Sequence, residues 1–146
     1  MRPEVKYKST APENKSTSRI IVWLRNDLRV KDNYALHWAA TKAVKGAKEV
    51  IPIFCFDPRY YSSEDSITRY ETRKTGAVRT KFQIESVFDL RQRLNNLGSH
   101  LLISNERPED FISKLISKNA NNYIIYQQEI CHEELKIEKS LVANLS

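Results

Sequence analysis

Four short, uninterrupted apolar runs punctuate the chain: RIIVWL (residues 19–24), VIPIFCF (50–56), HLLIS (100–104) and NYIIYQ (122–127). A strand with one wet face alternates apolar and polar residues. Unbroken apolar runs predict strands covered on both faces, as in a parallel sheet. Between them the period changes to that of a helix. Residues 33–45 place Leu36, Ala39, Ala40 and Val44 on one side, with Asp32 or Asn33 as cap and Gly46 as stop. Residues 76–97 carry Val87, Leu90, Leu94 and Leu97 at three- and four-residue steps and close on Gly98. Residues 108–118 begin on Pro108 and present Phe111, Ile112, Leu115 and Ile116. Residues 131–145 repeat the pattern with Leu135, Glu138, Leu141 and Val142, one position of which is polar.

Strand and helix in alternation predict an α/β domain, a doubly wound parallel sheet of three layers with right-handed crossovers. Residues 1–18 lack apolar periodicity, carry two prolines, and read as a flexible tail before a domain over 19–146. An organelle transit peptide competes with that reading, against which Glu4 and Glu13 weigh. Two features disturb the regular picture. Asp57 to Lys74 is a long connection without a clear element. The chain also ends on a helix whose apolar face expects another strand, so the sheet reads as cut short before its last strand.

Totals narrow the function. The 146 residues suffice for one domain with a real core. No apolar run is long enough to span a bilayer and the start lacks the apolar core of a secretory signal, so no membrane partner is expected; with both cysteines read as reduced, an intracellular location is expected. The net charge of +6 permits an anionic partner without requiring one. Cys55 and Cys131, in or beside the second and fourth strands, have no CxxC partner and no metal-ligand spacing with His37, His100 or His132; they read as reduced thiols. With three glycines, neither a GxGxxG loop nor a P-loop can be built.

Open α/β sheets bind ligands beyond the carboxyl ends of their strands. Four segments gather there: residues 25–32, 57 onward, 105–107 and 127–134. WLRNDLRVKDN packs Arg25, Asp27, Arg29 and Asp32 after the first strand; alternating charges there suit a fixed structural ion-pair network, the reading composition favours, or one that pins a neighbouring domain or positions a ligand. QQEICHEEL puts Glu129, Cys131, Glu133 and Glu134 at the fourth strand's mouth. The helix dipole alone accounts for acids at that place; the functional reading is a carboxylate accepting hydrogen bonds from a pterin- or purine-like ring. No orienting partner makes Cys131 and His132 a nucleophilic pair. The basic group Arg69, Arg73, Lys74, Arg79 and Lys81 borders the start of the long helix, where cations oppose the dipole.

The segments VWLRNDLRVKDNYAL, IPIFCFDPR, KTGAVRTKFQIESVFDLRQRLNNLGSHLLI, RPEDFI and YQQEICHEELKIE stand in the order seen in the photolyase/cryptochrome family. The KTG-x-x-R-x-x-F-x-x-ES-x-x-DLR pattern resembles the DASH-type cryptochromes. The resemblance runs from Arg19 to the chain's end. It implies the N-terminal α/β antenna-type domain of a light-driven repairer of cyclobutane pyrimidine dimers, or of a blue-light receptor. It further implies, as partners, a helical FAD-binding domain and, through the full-length protein, DNA. A 5,10-methenyltetrahydrofolate antenna would sit in the interdomain cleft, weakly held by this chain alone, with FAD held only by a full-length protein. By that resemblance Glu133 is the first expected contact of the pterin ring, with Glu129 and Cys131 nearby. Arg25, Asp27 and Arg29 are expected to serve architecture and interdomain contact, and Lys74, Thr75, Gly76 and Arg79 match the DASH pattern without an assigned role. Leu24, Tyr34, a longer 41–48 region and Asn105 depart from the family pattern. No catalytic residue and no metal ligand is expected in this chain. A stand-alone nucleotide- or protein-binding module without light chemistry is the alternative.

Overall fold

The computed structural model describes residues 17–44, 48–62 and 66–145. Most of the tail read over residues 1–18, and the Gly46 stop, lie outside them. Four parallel strands, β1 (Ser18–Leu24), β2 (Lys48–Cys55), β3 (Leu102–Ser104) and β4 (Asn121–Tyr126), stand in the order β3-β2-β1-β4. The central strand β1 pairs along its length with β2 on one side and β4 on the other. Its residues Ile20 to Leu24 are all buried, which is why the run could not alternate. Pro52 of β2 precedes the residues, Ile53 to Cys55, that pair with the short β3. A residue without an N–H is tolerated where that flank of the strand is open.

Helices α1 (Tyr34–Val44) and α3 (Ala77–Asn96) cover one face through Ala35, Ala39, Val87, Leu90 and Leu94. Helices α4 (Pro108–Leu115) and α5 (His132–Leu145) cover the other through Ile112, Ile137 and Leu141. The doubly wound architecture is therefore present. Several sequence expectations are corrected. Val44, Leu97 and Val142 sit on the predicted apolar stripes but are 88%, 69% and 39% exposed. The buried stripe of α1 runs through Ala35 and Ala39, so the 36–40–44 row drifts to the flank. Leu97 lies past the last helical turn, as C-cap. The third long helix stops at Leu115 rather than 118, because the Asn122 side chain ties up Ser117 N–H and the Ser117 and Ala120 carbonyls. The connection after β2 also holds structure: a one-turn helix α2 (Pro58–Tyr61) and, within residues 66–74, a hairpin closed by an Ile67–Arg73 bridge, with Glu71 at φ +59.

Helix starts and stops follow local chemistry. Of the two cap residues offered by the sequence, Asn33 serves: its Oδ1 accepts the Leu36 N–H at 3.0 Å while Asp32 takes φ +55. At the end of α3, Ser99 N–H bonds Leu94 O and Gly98 N–H bonds Asn95 O, both at 2.9 Å, with Gly98 at φ +78. That is the paired six-to-one and five-to-two closure that needs a left-handed residue. Gly98→Ala is expected to lower stability by about 1–2 kcal/mol through backbone strain alone, since nothing crowds an added Cβ. Denaturant unfolding of the variant measures it. Gly76, at φ −79, is expected to tolerate Ala with a smaller loss.

Candidate functional site

All four strands deliver their following segments to one end of the sheet, and the polar residues gather there in two desolvated clusters. In the first, Arg25, just past β1, bonds Glu138 of α5 at 2.5 Å, with side chains 7% and 6% exposed. The Arg25 guanidinium lies 4.5 Å from the centroid of Trp23, which itself packs on Tyr126 at 5.4 Å. The second cluster was not legible as a site: Arg59 of α2 forks onto Asp57 (2.6 Å) and onto Glu109 of α4 (2.8 Å). Both carboxylates are buried, and their bonds raise the guanidinium's pKa although burial opposes its charge. Its signal lay in FDPR, where an Asp before Pro caps the turn: Asp57 Oδ1 accepts Arg59 N–H at 3.0 Å.

Between these clusters opens a small cavity of about 80 Å³ lined by Arg25, Asn26, Tyr60, Tyr61, Gln83 and Glu134 among others. That volume accommodates water, not a cofactor ring. At its mouth stand the acids of the 127–134 segment. Glu129 is half-buried, and its carboxyl is raised above the usual range by burial, against the lowering effects of an Asn26 hydrogen bond and the Arg25 charge. Glu134 accepts from Asn26 Nδ2 at 3.2 Å. Glu133 is more exposed, at 60%, and its carboxylate pairs with Lys74 Nζ at 3.2 Å. Lys74 Nζ also lies 5.5 Å from the Tyr60 ring centroid, so the KTG segment leans over α2 toward α5. The Tyr60 phenol is pushed up to about 12 by burial and then by Glu133 and Glu134.

The structure thus brings Arg25, Glu129, Glu133 and Lys74 together around one mouth. It separates Asp27 and Arg29, which pair with each other at 2.9 Å on the loop before α1, the contact that lowers the Asp27 pKa. Arg79 is exposed on the first turn of α3, where its charge acts on the Tyr61 phenol. Cys131 is exposed rather than tucked beside a buried strand, because β4 ends at Tyr126 and the chain crosses open surface before α5. Among the described residues no group of three His, Cys, Asp or Glu could hold a metal ion, and no helix is long and apolar enough to cross a membrane.

Comparison with known proteins bears on this geometry. Residues 20–146 match the family model described as DNA photolyase. The chain is 39% identical over 128 residues to a cryptochrome DASH of Danio rerio, covering 86% of this chain and 23% of that protein. It is 39% identical over 131 residues to a cryptochrome DASH of Gloeobacter violaceus, covering 90% of this chain and 25% of that one. A solved cryptochrome structure from Synechocystis superposes with a TM-score of 0.74 at 32% identity, over 92% of this chain and 26% of its own. The chain therefore spans about a quarter of the length of the relatives it matches.

The two thiols should behave as opposites. Burial, with Asp57, Glu106 and Glu109 nearby, pushes the Cys55 thiol up to about 12, while Cys131 is open to solvent. The folded chain is expected to consume one equivalent of Ellman's reagent at pH 8, and two once denatured. A raised thiol pKa in the folded state also means stability is lost as pH climbs above the unfolded value of about 8.5. Cys55→Ala, whatever it costs in packing, should flatten that alkaline decline in denaturant midpoints.

Proposed function

The chain belongs to the DNA photolyase family, and from that premise we propose that it is the N-terminal antenna-type α/β domain of a DASH-like cryptochrome or photolyase. Light-driven repair of pyrimidine dimers, or blue-light reception, is then the work of a protein in which this domain joins a helical FAD-binding domain that also engages DNA. The observation that carries the reading is the mouth at the carboxyl ends of β1, β2 and β4, where Glu129, Glu133 and Glu134 converge beside a cavity too small for a ring. A cofactor there lies over the mouth, not in it, and needs a second wall from elsewhere.

The donor and acceptor chemistry fits a folate antenna. 5,10-Methenyltetrahydrofolate supplies near-UV absorption, and its pterin edge offers adjacent N–H groups. Carboxylates at the mouth accept such groups through charge-assisted bonds of roughly 1.5–3 kcal/mol each. Of the three residues the sequence offered, Glu129 is favoured as the acceptor. It is half-buried and hydrogen-bonded by the neutral Asn26 amide, whereas Glu133 is 60% exposed with its charge already met by Lys74, and Cys131 is a weak acceptor. With one wall only, folate should bind this chain with a dissociation constant above about 10 µM.

In a protein carrying the helical domain, Glu129→Gln is expected to lower the near-UV folate band relative to the flavin band, with affinity falling about 10- to 100-fold. Glu133→Gln should leave the ratio nearly unchanged. The reverse pattern would move the antenna contact to Glu133, and no loss in either variant would remove the acids from the site. The 146-residue chain alone is expected neither to repair dimer-containing oligonucleotide under blue light nor to hold FAD at one per chain. Either activity in purified chain would sink the proposed division of labour.

A further inference from the structure

We infer that Glu138 is the positioning residue of the Glu129 loop: locked by Arg25, its buried carboxylate grips the Glu129 backbone and fixes where the Glu129 carboxylate stands. Residues 127–131 connect β4 to α5 without regular structure, and four of the five are exposed. A segment of that kind wanders unless something holds it. Glu138 Oε1 accepts the Glu129 N–H at 3.1 Å and, on the same oxygen, Arg25 Nη1 at 2.5 Å. Arg25 in turn is held over Trp23, and its Nη2 lies 3.5 Å from Glu134 O. One carboxylate two turns into α5 thereby ties the loop to the end of β1.

Stability alone does not account for this arrangement. A buried ion pair is often replaced by apolar residues of similar size without loss. What an apolar pair lacks is an acceptor for the Glu129 N–H. The ion pair therefore orients the loop at a place where packing alone would have sufficed for the fold. The inference rests on the antenna reading for its functional meaning, but the grip itself can be measured without any ligand.

Two variants of the 146-residue chain separate orientation from stability. Glu138→Gln keeps a side-chain carbonyl for the Glu129 N–H but leaves Arg25 without its counter-charge. The double variant Arg25→Met/Glu138→Leu removes both charges and the acceptor. The readouts are denaturant midpoint, hydrogen exchange of the Glu129 amide by NMR, and titration with 5,10-methenyltetrahydrofolate. Glu138→Gln should unfold at lower denaturant yet protect the Glu129 amide as the parent does and keep its folate affinity. The double variant should recover most of the stability, while the Glu129 amide exchanges about tenfold faster and folate binds about tenfold more weakly. Unchanged Glu129 protection in the double variant overturns the inference, whatever the folate does. If the parent takes no folate but the exchange pattern holds, the positioning stands and the antenna reading falls. If Glu138→Gln does not fold, the double variant alone decides the matter.

Discussion

Everything in this domain answers to the burial of β1. It is paired on both edges and covered on both faces, and five consecutive residues from Ile20 to Leu24 are out of water. Over those five residues the strand carries no polar side chain; its polar residues, Ser18 and Arg19, stand at its amino end. After this run the chain first regains solvent just past the carboxyl end, at Asn26, and the neighbouring strands reach the same edge. The segments that follow the strands thus carry their polar residues to this rim, and right-handed crossovers bring the later ones back over it.

At that rim the charges are expensive. Arg25 and Glu138 are nearly dry, and so are Asp57 and Glu109 around Arg59. Desolvation of such groups roughly cancels their mutual attraction, while removing one partner costs about 3–5 kcal/mol. Each cluster joins elements distant in sequence: β1 to α5 in one, α2 to α4 in the other. Together they set the spacing of the segments that frame the mouth.

The layers and the parallel, doubly wound sheet were legible because continuous apolar runs and helical periods are local signals with one physical meaning each. The polar position in the last helix was legible too: Glu138 stood out as an anomaly on an apolar stripe, and it proves to be a buried ion-pair partner. Its partner was not readable, since no local rule connects position 25 to position 138. The Arg59 cluster was hidden for the same reason, and α2 because four residues are too few to show a period. Val44 and Leu97 misled because apolar periodicity does not report where a helix leaves the sheet. For the acids of the 127–134 segment, the residues alone placed them at the mouth, and the family resemblance ranked Glu133 first. Burial is what sets the half-buried Glu129 apart from the more exposed, Lys74-paired Glu133.

The form of the mouth also bears on how such a domain serves a cofactor. A closed pocket would need a cavity several times larger than the one between Arg25 and Tyr60. Enlarging it would mean dismantling the ion pairs that fix the rim. On the antenna reading an open rim with oriented carboxylates avoids that conflict: the domain would supply direction and charge, and a facing surface the enclosure. On such a rim, affinity depends on how firmly each acceptor is held, because a loose carboxylate loses ordering entropy on binding that a fixed one does not. On the antenna reading, the dry Arg25–Glu138 pair is the kind of interaction that such a half-site would use to hold its acceptor in place.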